Sequence, residues 1–374
     1  MADEKRIQIK KEDLNTAQNL QRVQQFKDAQ KIALVRPVGD PNQLRKSSAG
    51  LISILILSGA GLLGGFIAFL VNRFVDSLKL GFFENAETAT RSNLFFTFTL
   101  AFFIGLTVSI IDASTTRVAS KILLAGGIAI PGSIILSLVF GFIANAFYSS
   151  QVENIYNEAV RRVMSGQSEE TVLQFYRASL HLPRGVAWLL VGIAAGLTVG
   201  IASRSPKRLG LTVAGGTIGG FLGGFIFDFF PQSEKLSWVP QLFGIALTGL
   251  LIGSSMALLE QAARTQWIDI VAGGMAGKQF ILYKSEIIIG SDPSVDITLI
   301  KDSAIAPRHA RIFKQGGRTV LESLNPGMPC SVDGTTDIRF YLQDMNTITL
   351  GSTQIRFRER KSQKQVQSGV TRLS

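Results

Sequence analysis

The 374-residue chain holds two histidines, His181 and His309, and one cysteine, Cys330. That inventory excludes a disulfide framework and a cysteine- or histidine-rich metal cluster. No nucleophile–base pair or paired carboxylates stand out, and the glycine run Gly215–Gly224 lacks the Lys-Ser/Thr ending of a phosphate-binding loop. The expectation is a protein that is not an enzyme and carries no cofactor. Lys301 and Arg308 offer charge to an anion, although solvated surface is the first reading of both. Asp112, Asp228 and Glu260 fall near the ends of apolar stretches, and Asn145 is the strongly polar residue within one. This is thin material for an ion or substrate pathway, which needs ionisable groups in mid-membrane.

The elements that must position these groups are of two kinds. Mean hydropathy is +0.27 with only 17% charged residues, and the apolar content is concentrated between residues 49 and 260. A helix needs about 20 mostly apolar residues to cross a bilayer. Six stretches qualify: Ala49–Val75, Asn93–Ile111, Ile122–Phe147, Val186–Ala202, Leu209–Phe230 and Val239–Leu259. The first lies behind a polar arm and is itself long enough to cross, so it reads as a span and not a cleavable signal.

The net charge of +11 gathers in the N-terminal arm, in links between spans and after residue 260. It shows no basic stripe interleaved with stacking aromatics, so nucleic acid is not an expected partner. Arg45 and Lys46 before the first span, with Arg117, Lys121 and the link Arg204–Arg208, place both termini in the cytoplasm by the positive-inside rule. The link from Ser149 to Gly185 then lies outside although it carries four arginines; four glutamates sit among them.

The spans repeat. Gly65-Phe66-Ile67-Ala68, Gly141-Phe142-Ile143-Ala144 and Gly224-Phe225-Ile226-Phe227 recur in the odd-numbered ones. Gly105-Leu106-Thr107-Val108 is echoed by Gly196-Leu197-Thr198-Val199, and more faintly from Gly249, in the even-numbered ones. Three copies of a two-helix hairpin is the economical reading. Gly215, Gly219, Gly220, Gly223 and Gly224 read as one helical face allowing close helix packing. Residues 151–182 read as an external hairpin of two short helices, Gln151–Val163 and Ser168–Leu180, with Ser168 as N-cap of the second. Residues 1–48 form an arm.

Beyond Arg264 the period changes from helical to alternating. Trp267–Val271, Gln279–Tyr283, Glu286–Ile289, Ala310–Phe313, Thr319–Leu321 and Thr353–Phe357 read as short strands between Gly, Pro and Asp turns, which implies an all-β sandwich over 265–360 with a disordered tail at 361–374. Ile288-Ile289-Gly290, Asp296-Ile297-Thr298-Leu299, Arg308-His309-Ala310, Val332-Asp333-Gly334 and Ile348-Thr349-Leu350-Gly351 give this segment a specific look. It resembles a forkhead-associated (FHA) domain. The hairpin repeat leading into it is similar to an arrangement in bacterial FHA membrane proteins, which implies a bacterial inner membrane.

FHA domains generally bind phosphothreonine on loops at one end of the sandwich, and the resemblance implies that Gly290 and His309 are structural. At the phosphate-gripping positions this sequence departs from the family. Ser291 stands where the family has Arg, Ala306 where it has Ser, and Met328-Pro329 where it has Asn-Gly. Ser291, Lys301, Ala306, Arg308 and Met328 therefore define a degenerate recognition surface. The expected function is a membrane-anchored scaffold that binds a cytoplasmic protein without needing phosphorylation, alone or in a homo- or hetero-oligomer. The alternatives are an FHA-regulated channel or transporter and a phosphothreonine reader serving a Ser/Thr kinase.

Overall fold

The structure, a computed structural model, describes residues 48–78, 86–227, 229, 238–325 and 327–360. The N-terminal arm, Asp228 and the tail after Arg360 lie outside the described residues. Among the described residues six helices come first: α1 (Ser48–Ser77), α2 (Ala86–Ser114), α3 (Ala119–Met164), α4 (Glu169–Ser203), α5 (Pro206–Phe227) and α6 (Trp238–Ala263). Each contains a segment long and apolar enough to cross a membrane. Eleven strands follow among the described residues: β1 (Gln266–Ala272), β2 (Gln279–Ile281), β3 (Glu286–Gly290), β4 (Ile297–Thr298), β5 (Ala310–Gln315), β6 (Arg318–Ser323), β7 (Cys330–Val332), β8 (Thr335–Asp337), β9 (Arg339–Leu342), β10 (Thr347–Leu350) and β11 (Thr353–Glu359). They form two sheets, ordered β2-β1-β11-β10-β7-β8 and β4-β3-β5-β6-β9. The expected architecture, six spans and then an all-β sandwich, is the one found.

Two expectations are corrected, the external hairpin and the single glycine face. Gln151–Val163 and Ser168–Leu180 are not separate short helices but the ends of α3 and α4, which run unbroken for 46 and 35 residues. No helix breaker stands between Phe147 and Gln151, so α3 keeps its hydrogen bonds where its sequence turns polar. It stops only at Ser165-Gly166, where Gly166 takes a φ of +86° that a side chain would oppose. Ser168 then caps α4, its hydroxyl accepting the Thr171 N–H at 3.4 Å with Glu169 and Glu170 in the first turn. The two extensions are held together by the Arg162 guanidinium over the Phe175 ring at 3.6 Å.

Close approach organises the bundle. The glycines of α5 do not lie on one face; they form two stripes one residue apart. A methyl on Gly215, Gly219 or Gly223 would come within about 2.5 Å of Met256, Ile252 or Thr248 on α6. One on Gly216, Gly220 or Gly224 would lie 2.2, 2.3 or 2.7 Å from the carbonyl oxygens of Gly192, Trp188 or Arg184 on α4. α5 is thus wedged between two helices at backbone contact, where dispersion supplies the association that lipid does not. The repeated phrase keeps a cyclic order: Gly65 of α1 meets Ile245 on α6, Gly141 of α3 meets Phe98 on α2, and Gly224 of α5 meets Arg184 on α4.

In the sandwich the alternation is clearest in β11, where Thr353, Ile355 and Phe357 are buried while Gln354, Arg356 and Arg358 between and after them are half-buried. Ile355 and Phe357 join Ile268, Ile289, Ile312, Leu321 and Ile348 in a core separate from that of the helices. Only Arg264 and Thr265 separate α6 from β1 (Gln266–Ala272). That joint is braced: Arg360 donates to the carbonyls of Thr265 and Ala262 at 2.8 and 2.7 Å, and the Arg264 guanidinium lies 4.2 Å from the Trp267 ring centroid.

Candidate functional site

Three loops meet at one end of the sandwich: the one after β3 (Glu286–Gly290), the one before β5 (Ala310–Gln315), and the one after β6 (Arg318–Ser323). Gly290 ends β3 in a place no side chain can occupy, since a Cβ there would lie 2.0 Å from the Pro307 carbonyl oxygen. That closeness lets the first two loops be stitched together. The Ser291 N–H donates to the Ala306 carbonyl at 3.0 Å and its hydroxyl to the Ile305 carbonyl at 2.9 Å, and the Asp292 N–H reaches Pro307 at 3.2 Å. The Ser291 hydroxyl is therefore engaged within the protein.

His309 braces all three loops. Its N–H donates to the Ile289 carbonyl, its carbonyl accepts from Leu324 N–H, both at 2.9 Å, and its Nδ1 accepts the Ala306 N–H at 3.1 Å. Accepting at Nδ1 fixes the neutral tautomer with the proton on Nε2. Burial lowers the imidazole below its ordinary value, opposed by the Asp302 carboxylate. Asp302 in turn holds the second loop to the turn after β10 (Thr347–Leu350), accepting from the Ser352 N–H at 2.8 Å, its hydroxyl at 2.9 Å and the Thr353 hydroxyl at 2.8 Å. Burial pushes the Asp302 carboxyl up, but these bonds outweigh it and leave the group below its ordinary value.

The loops are thus built firmly, yet little on them can grip a phosphate. Ala306 is buried and has no hydroxyl. Lys301, at a φ of 65°, and Arg308 are exposed. Met328 is exposed on the third loop, its carbonyl accepting from the Ser323 hydroxyl at 3.2 Å. Asn325, which sequence reasoning passed over, turns its side-chain oxygen to the Gly327 N–H at 3.1 Å. Cys330 lies in the core, its thiol pushed up to about 11 by burial, and is protonated at neutral pH.

The loop between β3 and β4 (Ile297–Thr298) also touches the bundle. Lys121 at the start of α3 donates to the Asp296 carbonyl at 2.8 Å, and Lys278 donates to the Thr115 carbonyl between α2 and α3. Deeper, Arg208 of α5 bonds Asp112 of α2 at 2.7 Å and Glu260 of α6 at 2.7 Å, tying three helices into one ion cluster. The Tyr283 ring, from the turn after β2 (Gln279–Ile281), sits 6.0 Å from the Arg208 guanidinium. Burial first, and then the Glu260 carboxylate, push its phenol well above its ordinary value. This cluster was not assembled from sequence. Its signal was available: two carboxylates and an arginine within a turn or so of the same ends of three spans.

Residues 269–361 match the family described as inner membrane component of T3SS, cytoplasmic domain. No curated protein sequence matches the chain. Among solved structures, an FHA domain from a study of phosphothreonine-dependent FHA domain interactions is 23% identical, covering 26% of this chain and 99% of that one, with a TM-score of 0.24. An FHA domain from Chlamydia trachomatis is 25% identical with the same coverage and TM-score. The cytoplasmic domain of the T3SS sorting platform protein PscD from P. aeruginosa is 23% identical, over 26% of this chain and 82% of that one, with a TM-score of 0.24. The matched segment is the two-sheet β-sandwich that follows the helices.

Proposed function

We propose that the chain is a membrane-anchored scaffold whose FHA-like domain recognises a protein partner on the cytoplasmic side of a bacterial inner membrane, without requiring phosphorylation. The observation that carries this reading is the state of Ser291 and Ala306. The first turns its hydroxyl inward onto Ile305 and the second has none, so the two positions that would clasp a phosphate offer it nothing. The loops are nevertheless held in shape by His309 and Asp302, which suits a surface that works by form. The match of residues 269–361 to a cytoplasmic domain of an inner membrane component of T3SS supports a place in a membrane-bound assembly, with copies of this chain or with other proteins.

The short, braced joint between α6 and β1 supports placement as the role of the bundle, since the sandwich is held against the helices. Two experiments test the reading. Capture on the full chain from membranes treated or untreated with phosphatase should return the same proteins, and loss of the main partner on treatment would overturn phosphorylation independence. Reporter fusions after Lys46 and Ser374 should both report cytoplasm; a periplasmic signal at Ser374 would overturn the orientation.

A further inference from the structure

Beneath the sandwich, where it meets α2, α3 and α4, lies a cleft of about 670 Å³. Its walls differ in kind. Ser120 and Lys121 on α3, Ser203 and Arg204 at the end of α4, and Lys284 on the sandwich line its upper part. One turn deeper along the same helices the lining is apolar: Leu124, Ala125 and Val199. The apolar wall runs out to the lipid-facing surface, where Leu124 is 46% exposed and its neighbour Leu123 is 76% exposed.

The charges are unevenly matched. Four cations line the cleft: Lys121, Arg204, Arg208 and Lys284. Arg208 is held by Asp112 and Glu260, and Lys284 is paired with Asp296 at 2.6 Å. Lys121 donates to a main-chain carbonyl and feels the Asp296 carboxylate that Lys284 already holds, and Arg204 has no ion-pair partner among the described residues. The third carboxylate on the wall, Asp292, accepts the Ser294 N–H at 2.6 Å within its own loop. Ser205, also on the wall, precedes Pro206, the first residue of α5, so the positive end of that helix adds to the field.

We propose that this cleft is a site for an anionic phospholipid, its phosphate met by Lys121 and Arg204 and its acyl chains lying on the wall of Leu124, Ala125 and Val199. A basic pocket between helices at the level of the headgroups is the arrangement that retains such lipids. A free phosphate or another small hydrophilic anion would meet the same two cations but leave the apolar wall without a partner, which is why the lipid is the occupant. The site rests on the membrane placement of the helices and not on the scaffold reading. Because Lys121 also holds the Asp296 carbonyl, the lipid would sit against the contact that fixes the sandwich to the bundle.

The test uses the purified full chain in detergent, with phosphatidylglycerol, phosphatidylcholine or inorganic phosphate added. Retention is read by native mass spectrometry and stability by thermal melting. Phosphatidylglycerol should be retained at one molecule per chain and raise the melting temperature, while the other two should do neither. Lys121→Gln with Arg204→Gln should weaken retention by roughly tenfold or more, since each cation near the surface contributes severalfold. Ser120→Trp, which fills the cleft without removing charge, should abolish retention; it decides the matter if the double variant does not fold. Equal retention of phosphatidylcholine, an equal effect of inorganic phosphate, or unchanged retention in the variants would each overturn the proposal, the second in favour of a free-anion site.

Discussion

Arg208 of α5 and Glu260 of α6 meet as a fork, Nε to Oε1 at 2.7 Å and Nη2 to Oε2 at 3.4 Å, while the remaining nitrogen of the guanidinium takes Asp112 of α2 at 2.7 Å. One cation therefore serves two carboxylates on different helices, at side-chain exposures of only 14% for Arg208 and 6% for Glu260. Removing the arginine leaves two carboxylates facing each other with little water. Breaking a buried pair from one side costs about 3–5 kcal/mol. Arg208→Ala should thus lower the melting temperature of the full chain sharply, and Arg208→Lys should recover only part, because a compact ammonium lacks the planar fork that meets Glu260 with two nitrogens while a third reaches Asp112. Wild-type melting of Arg208→Ala would remove the cluster from the account of stability.

Alanine in α5 should have effects of opposite sign on and off the two glycine stripes. Gly216→Ala and Gly219→Ala force a methyl to within 2.2 Å of the Gly192 carbonyl and 2.5 Å of Ile252 Cα, both backbone atoms that cannot step aside. Overpacking of this sort costs typically 1–3 kcal/mol. Gly210, with nothing within 4 Å of its would-be Cβ, should accept alanine with a gain of up to about 1 kcal/mol from helix propensity. Detergent melting of the three variants separates packing from propensity; equal destabilisation of all three would deny the stripes their role.

Much of this fold was legible because its signals are local. β11 alternates over most of its seven residues and β5 over its first four, and six apolar stretches of membrane length announce six helices. β4, β7, β8, β9 and β10 were not read as strands, being two to four residues long, too short for a period to show, and β8 (Thr335–Asp337) is exposed throughout. The length of α3 was hidden because a change of polarity at Phe147 resembles an ending although the backbone has no reason to stop. The recognition loops could be read from motif spacing, whereas the inward turn of Ser291 could not, since it depends on a carbonyl fourteen residues away. The ion cluster and the cleft arise where separate helices meet the sandwich, and no stretch of sequence contains them.

His309 predicts a pH dependence for the sandwich. Its folded value lies below the ordinary one because of burial, so the unfolded chain binds the proton more readily. Its contribution to stability is then complete above about pH 6.5 and declines as pH falls below that. Asp302, also lowered, acts in another window: its contribution holds above about pH 3.9 and is lost only in stronger acid. Melting of residues 265–360 between pH 7.5 and 5 should show a decline that His309→Gln flattens. A decline of the same slope in the variant would assign it to other groups.

The sandwich should fold by itself yet bind phosphothreonine peptides weakly. Its core of Ile268, Ile289, Leu321 and Phe357 belongs to the strands and not to the loops. A hydrogen bond to a charged group contributes about 1.5–3 kcal/mol, so the absence of an arginine at Ser291 and of a hydroxyl at Ala306 removes roughly 3–6 kcal/mol. Each 1.4 kcal/mol is about tenfold in affinity, which takes a micromolar ligand to the millimolar range. Restoration should run the other way. Ser291→Arg frees the Ile305 carbonyl and supplies a guanidinium, and Ala306→Ser supplies a hydroxyl while its N–H stays on His309 Nδ1. The pair should regain part of the affinity, held back because Met328, exposed and followed by Pro329, offers no side-chain amide to the peptide backbone. Titration of a phosphothreonine peptide library against the wild type and the double variant decides the point. Micromolar, phosphate-dependent binding by the wild type would sink the degenerate reading and turn attention to Lys301 and Arg308, the exposed cations beside these loops.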